Sequence, residues 1–342
     1  MAGHALALRP LCRRLAVHPL GVHCAAVGDH PGPHDQPLRD GLWRAAECGA
    51  TFLDTSDSYG LGHSERIIGQ FLRDWPGHRL QVSSKVGLVR GSAPHPYADR
   101  RIHQQLEQTI DNLYIEPPLA LYTLASLDFG PADRYLGSAI DQMRILRRNG
   151  DITAIGMRGP HTALGAPLEE WRRQAARFVH LFHLIQPDVV WTHYHGLTPA
   201  VALTDEGDDL FTFTRRHGTG LVLAAPLAHG ILAGKPLHRP TAQHGLGARD
   251  AGPIAAGIRE LRHHFGHAPG TLSRLALRVC LQKSDHAAVI FGFRNEAQVE
   301  ENYTCLGEPL TPEELALAED VYARVRVGLQ DVGTPPAHEA AV

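Results

Sequence analysis

Lysine is nearly absent from this chain. Only Lys85, Lys235 and Lys283 stand among 33 lysines and arginines in 342 residues. A position that needs a titratable amine cannot use arginine, so each surviving lysine carries information. Long apolar runs are also missing. No stretch of about 18 apolar residues exists, which excludes a membrane-spanning helix. The first 19 residues are interrupted by Arg9, Arg13 and Arg14 and read as a poor signal peptide. Excess positive charge is lacking too: the net charge of −3 gives no basic footprint for nucleic acid. Cysteines number five, with irregular spacing and no C-x-x-C, which favours reduced thiols and a cytoplasmic protein over a disulfide framework or a zinc ribbon. Finally, no G-x-G-x-x-G follows a strand. Gly60 and Gly62 begin like one, but Glu65 stands where the third glycine belongs, so a Rossmann nucleotide site is not indicated.

What is present is alternation. Short apolar segments recur at Gly21–Val27, Thr51–Asp54, Leu80–Lys85, Leu119–Leu124, Ile152–Met157, Asp188–Trp191, Gly220–Ala225 and Ala287–Phe291. They are mostly non-alternating, as strands covered on both faces are. Helical stripes lie between them, such as Ile102, Leu106, Ile110 and Leu113, or Leu136, Ile140, Met143 and Leu146. Thr311-Pro312-Glu313-Glu314 is a capping box that opens a last helix. A hydrophobic fraction of 43% suffices for a large core. Eight strand–helix units without a fixed-period repeat predict an α/β protein with a single (β/α)8 TIM barrel domain through about residue 330 and a frayed tail over 331–342.

In such a barrel, chemistry sits at the C-terminal strand ends. Two of those ends stand out. The run from Phe52 to Glu65 carries Asp54 and Tyr59, and Ser83-Ser84-Lys85-Val86-Gly87 carries a lysine. A buried Asp–Lys pair beside a phenol is a proton-donor device: the cation would lower the phenol from about 10 toward neutrality, and the carboxylate would hold the cation. Among 23 histidines, His193 and His195 stand two apart at a strand end and are candidate substrate contacts or proton donors. His263 and His267 have the i, i+4 spacing of zinc ligands, but no H-E-x-x-H or obvious third ligand accompanies them, and they read as solvated helix residues with no metal site.

These motifs resemble the aldo-keto reductase superfamily across roughly residues 18 to 325. The pattern F-[LD]-D-T-x-x-x-Y-G-x-G-x-S-E, followed about twenty residues on by S-x-K-x-G, is matched at Phe52–Glu65 and Ser83–Gly87, and the wording is nearest the branch acting on small aldoses and related aldehydes. The resemblance implies NADP(H) bound without a Rossmann domain, Tyr59 as general acid/base, Lys85 tuning it and Asp54 pairing with Lys85. It implies a small-molecule substrate and no nucleic-acid or membrane partner; oligomeric state stays open. Ile290 to Asn302 matches the family's I-P-G-x-R-x-x-x-Q-x-x-E-N apart from Phe291, which implies that Gly292 and Arg294 hold a 2′-phosphate and that Gln298 and Asn302 face the adenine. Pro226 and Leu227 retain a cofactor loop.

The departures lie around the reactive ring. Ala125 stands where the family has its catalytic histidine, Arg158-Gly159 replace a Ser-Asn pair, Trp191 replaces a glutamine, and Ala224 replaces a stacking aromatic. Loss of one orienting donor costs about 2–4 kcal/mol in a transition state. Trp191 is the candidate replacement stacking face, and His193 or His195 the candidate replacement donor. The main expectation is an NADP(H)-dependent carbonyl oxidoreductase acting on a small polar aldehyde, ketone or sugar-like substrate. The alternatives are a non-redox epimerase, dehydratase or lyase on the same fold, and a non-catalytic cofactor-binding or partner subunit.

Overall fold

The computed structural model describes residues 7–28, 35–75, 80–98, 100–164, 166–235 and 250–332. Ten strands are present among them. The first two, β1 (Arg9–Cys12) and β2 (Leu15–Val17), form an antiparallel hairpin. The other eight are β3 (Leu20–His23), β4 (Phe52–Asp54), β5 (Gln81–Val86), β6 (Leu119–Leu124), β7 (Ile152–Arg158), β8 (Val189–His193), β9 (Gly220–Ala224) and β10 (Ala287–Gly292). They run parallel in the order of the chain, and β10 closes on β3 to make a barrel. Each apolar segment read from the sequence is one of these strands, within a few residues.

Helices cover the outside: α1 (Asp35–Glu47), α2 (His63–Asp74), α3 (Arg101–Leu113), α4 (Leu136–Asn149), α5 (Leu168–Ile185), α6 (Leu210–Arg216), α7 (Ala251–Phe265), α8 (Thr271–Gln282), α9 (Glu296–Thr304) and α10 (Pro312–Val332). The stripe Ile102, Leu106 and Leu113 is buried on α3, as the 3.6 period requires. Thr311 and Glu314 bond reciprocally, at 2.9 and 3.2 Å, and start α10. Its helix reaches Val332, two residues past the expected end; residues 236–249 and 333–342 lie outside the described residues.

Two layers of core follow from strand alternation. On β6, Tyr122 and Leu124 face the helices, while Leu121 packs in the barrel interior. The same alternation sends Thr123 and Ala125 inward, and on β8 it turns Trp191 inward. The N-terminal hairpin was not legible in the sequence, because Arg9, Pro10, Arg13 and Arg14 interrupt its apolar residues. Leu11, Leu15 and Val17 insert into the barrel floor against Phe52, Leu121, Val189, Val222 and Ile290. Arg9 donates to the carbonyls of Ser284 and Ala287 at 2.9 and 3.0 Å. The floor is therefore plugged and the opposite, C-terminal face is the open one. One strand expectation ran too long: the segment through Val27 leaves the sheet at His23 and turns through a 3-10 helix at Ala25–Gly28.

The hairpin fits because residue 220 has no side chain. A Cβ there would lie 2.0 Å from the Leu11 carbonyl oxygen. Gly220→Ala is expected to lower stability by about 1–3 kcal/mol through forced backbone shifts, read as a lower urea midpoint. An unchanged midpoint would mean that the hairpin does not seal the floor.

Candidate active site

Asp54 ends β4, and its Cα partners across the sheet are His23 on β3 and Ser83 on β5. Strand register alone therefore brings three polar residues to one level of the barrel mouth. The Asp54 carboxylate is fully buried. Its Oδ1 accepts from Ser83 Oγ at 2.9 Å, and its Oδ2 lies 2.7 Å from both Lys85 Nζ and His23 Nδ1. Lys85 also donates to the Thr55 carbonyl at 2.6 Å. Ser83 and Lys85 share the inner face of β5, two residues apart, and the intervening Ser84 points out to α2. Burial, the largest single influence, pushes Asp54 up; the Lys85 charge and the His23 hydrogen bond overcome it and hold the carboxyl below its ordinary range. Burial pulls Lys85 below the usual ammonium range, with Asp54 working against that.

Tyr59 is brought over this pair by the loop after β4. Ser64 Oγ donates to the Cys24 carbonyl at 2.9 Å and lies 2.8 Å from Thr55 Oγ1. The buried Glu65 carboxylate accepts from Ser84, Thr109 and Asn112 at 2.8–2.9 Å, tying α2 to β5 and α3. The serine–glutamate pair of the motif is thus a staple for the loop. Gly62 is required there: its φ is +81°, and a Cβ would come 2.7 Å from Asn112 Nδ2.

One expectation about Tyr59 is corrected. Lys85 Nζ lies 5.2 Å from the Tyr59 ring centroid, but its short bonds go to Asp54 and Thr55. Burial and then the Asp54 charge push the phenol well above 10, and Arg158 opposes them only in part. Tyr59 is a protonated hydroxyl at neutral pH, a donor rather than a phenolate.

A histidine besides the two candidates read from the sequence meets Tyr59. The Tyr59 hydroxyl lies 3.4 Å from His23 Nε2, with the two rings edge to face. His193 is instead paired with His161 at 3.1 Å, and His195 Nδ1 accepts from Leu197 N at 3.2 Å. Burial lowers His161 to about 4 and His193 well below 6.5, so both are neutral near pH 7. His23, Tyr59, His161, His193 and His195 all line a cavity of about 310 Å³, closed by Ala225, Ala228 and His229. Sequence reasoning passed over His23; the signal was a polar residue ending an otherwise apolar first strand.

Trp191 lies buried in the mouth, 4.8 Å from Lys85 Nζ and 5.6 Å from the Arg158 guanidinium carbon. Its Nε1 has no partner among the described residues, and no ion pair or hydrogen bond engages the Arg158 side chain among them. A buried indole N–H without a partner and a half-buried guanidinium nearby suit a polar acceptor such as a carboxamide oxygen. Ala125 and Ala224 are buried and offer no polar group. Pro226 is buried and Leu227 half-buried in the turn after β9. At the far end, Gly292 and Arg294 are exposed; a Cβ on Gly292 would meet only the His23 carbonyl, at 3.9 Å, leaving room for a close approach. Asn295 caps α9 by accepting from Gln298 N at 3.0 Å. Gln298 is half-buried, and its Oε1 accepts from Arg294 N at 2.9 Å; Asn302 is buried. That set fits a phosphate and a purine edge at a helix N-terminus. No group of three His, Cys, Asp or Glu among the described residues is placed to hold a metal.

Asp57 gives a pH test of this loop. It is buried, its Oδ2 has no partner among the described residues, and burial, then Glu65, raise it from 3.8 to about 7. The folded state thus keeps a proton that the unfolded chain releases near pH 4. Stability from this group falls as pH rises from about 4 to about 7 and is flat above. Asp57→Asn is expected to gain on the order of 2 kcal/mol at pH 8 and little at pH 4.5, by urea unfolding. Equal effects at both pH values would contradict the assignment.

Comparison with known proteins agrees with this geometry. Residues 26–323 match the Aldo/keto reductase family. The chain is 24% identical over 327 residues to an L-galactose dehydrogenase of Arabidopsis thaliana, covering 93% of this chain and 92% of the relative. It is 23% identical to an NADH-specific methylglyoxal reductase of Escherichia coli, covering 88% and 94%. Among solved structures, a glycerol dehydrogenase from Gluconobacter oxydans superposes with a TM-score of 0.73 at 19% identity, covering 98% and 99%. An aldo/keto reductase from Klebsiella pneumoniae in complex with NADP and acetate gives 0.62 at 21%, covering 93% and 95%. With its closed parallel barrel and a family match over most of its length, the chain belongs to the aldo/keto reductase family of oxidoreductases.

Proposed function

We propose that this chain is an NADP(H)-dependent oxidoreductase that interconverts a small polar aldehyde, ketone or sugar-like carbonyl compound and its alcohol, with Tyr59 as the acid/base group. The observation that carries this reading is the Tyr59 hydroxyl itself. It is held protonated over the buried Asp54–Lys85 pair and opens into a cavity of about 310 Å³. Such a hydroxyl can donate to a carbonyl oxygen as that oxygen gains charge. The cavity admits a substrate of a few carbons, and its histidine lining supplies polar contacts for hydroxyl groups. The names of the relatives, which concern galactose, methylglyoxal and glycerol, point to the same substrate size and polarity.

The bound nicotinamide would supply or accept the hydride. Arg158 and Trp191 would orient its carboxamide, Trp191 with a buried Nε1 that lacks a partner among the described residues. Gly292, Arg294, Gln298 and Asn302, on and before α9, would hold the adenosine and its 2′-phosphate, with Pro226 and Leu227 bordering the cofactor between the two ends. Arg294 favours the 2′-phosphate form, whereas the Escherichia coli relative is named for NADH. Asp54 and Lys85 fix the loop geometry and the charge beneath Tyr59.

The test is Tyr59→Phe, assayed with NADPH on methylglyoxal and glyceraldehyde and with NADP⁺ on glycerol and L-galactose. The variant is expected to lose about 10²–10⁴-fold in kcat. Cofactor affinity should stay within about threefold, since the hydroxyl is not one of the groups assigned to the cofactor. Undiminished turnover would remove Tyr59 from the mechanism. Absence of turnover by the wild type on all four probes would favour non-redox acid/base chemistry.

A further inference from the structure

His23 is joined both to the Asp54 carboxylate and to the Tyr59 hydroxyl. Asp54 is ionised and can only accept, so His23 Nδ1, 2.7 Å from it, carries the proton of that bond. The Nε2 lone pair is then left facing Tyr59 OH, at 3.4 Å. Hydroxyl, imidazole and carboxylate are linked in sequence, the arrangement by which an otherwise weakly acidic hydroxyl is made to give up its proton. The separation is at the long end for a hydrogen bond; contacts of this kind tighten when substrate is bound.

The need for such a partner follows from the rest of the site. Oxidation of an alcohol requires a base. Tyr59 is held in its protonated form, so it can accept a proton only while passing its own onward. Lys85 cannot take it, because its ammonium is engaged by Asp54 and Thr55. Ala125 has no polar side chain, and His193 is turned to His161.

We propose that His23, backed by Asp54, is the positioning and proton-relay residue through which Tyr59 works, so that a histidine at the end of the first barrel strand supplies the proton acceptor that Tyr59 needs. This rests on the redox reading above. In the oxidising direction the substrate O–H breaks and its proton goes to the Tyr59 oxygen. The Tyr59 O–H breaks and its proton goes to His23 Nε2. The substrate C–H electron pair leaves as hydride to NADP⁺, which is reduced as the alcohol is oxidised. His23 then bears the positive charge against Asp54 and releases the proton to solvent through the cavity that it lines, its side chain being 12% exposed. Reduction runs the same path backwards.

The groups facing His23 permit this. Asp54 on β4 compensates the new charge, and Lys85 on β5 shares the same carboxylate oxygen. Tyr59 in the following loop is neutral. On β8, Trp191 has its ring 5.9 Å from His23, and His193, the next inward residue, is held neutral by burial.

The decisive variant is His23→Asn, whose amide can still donate to Asp54 but cannot accept a proton from Tyr59. The probes are glycerol with NADP⁺ and, for its reverse reaction, glyceraldehyde with NADPH, each from pH 5.5 to 10. In the wild type, kcat/KM for oxidation is expected to rise with pH and level off. In His23→Asn it should be about 100-fold lower at pH 7 and keep climbing about tenfold per pH unit without levelling, as hydroxide replaces the relay. At any one pH, reduction must fall by the same factor, since the overall equilibrium is unchanged. A uniform loss with an unaltered profile would mean that His23 only holds the loop, and would overturn the proposal. Should the variant not fold, a proton inventory on the wild type decides. A curved dependence of rate on deuterium fraction reports two protons in flight, and a linear one contradicts the relay. A wild type that turns over none of the probes would sink the redox reading itself, and the relay with it.

Discussion

The contact on which everything else depends is the bond between Lys85 Nζ and the buried Asp54 carboxylate. Neither charge is tolerable alone at that depth, because removing a carboxylate or an ammonium from water costs several kcal/mol even after the protein relaxes (roughly, per ion). Paired, and with Ser83 and His23 satisfying the remaining carboxylate sites, they form a neutral polar plug beneath the mouth. Parallel strands in register deliver these groups: His23, Asp54 and Ser83 are cross-strand neighbours. The barrel positions the site before any loop contributes. The loop then adds Tyr59, and the Glu65 staple keeps it there.

Around the Asp54–Lys85 pair, the barrel mouth carries bulky side chains. Arg158 and Trp191 pack against each other there, and the Trp191 Nε1 is buried without a partner among the described residues. Ala125 and Ala224 open space on the neighbouring strands. The histidines divide into two sets. His161 and His193 are hydrogen-bonded to each other and stay neutral, and the His161 Nδ1 has no partner among the described residues, which suits contacts to hydroxyl-bearing ligands. His23 is coupled to a carboxylate, which suits proton movement.

Much of this was legible in the sequence. The eight strands, the TIM barrel and the Asp54–Tyr59–Lys85 group rest on periodicity and on a motif whose spacing is fixed by strand ends, and local signals of that kind survive folding. The hairpin was not legible because Arg9, Pro10, Arg13 and Arg14 interrupt its apolar residues. His23 showed only as a polar residue ending an apolar strand, because its importance comes from the register of β3 against β4, a long-range relation. The expected lowering of the Tyr59 phenol failed for a related reason. Residue types placed Lys85 nearby, but only coordinates show its protons committed to Asp54 and Thr55. Burial then decides the direction of the shift.

The most direct test of the account is a titration of the purified protein with NADPH and NADP⁺, followed by tryptophan fluorescence and by calorimetric heat, with Trp191→Phe as the spectroscopic control. The account predicts micromolar binding, weaker binding of the forms that lack the 2′-phosphate, and a quench that disappears with Trp191. No binding at millimolar cofactor would contradict it, and would leave a barrel whose Asp54, Tyr59 and Lys85 serve chemistry without hydride transfer.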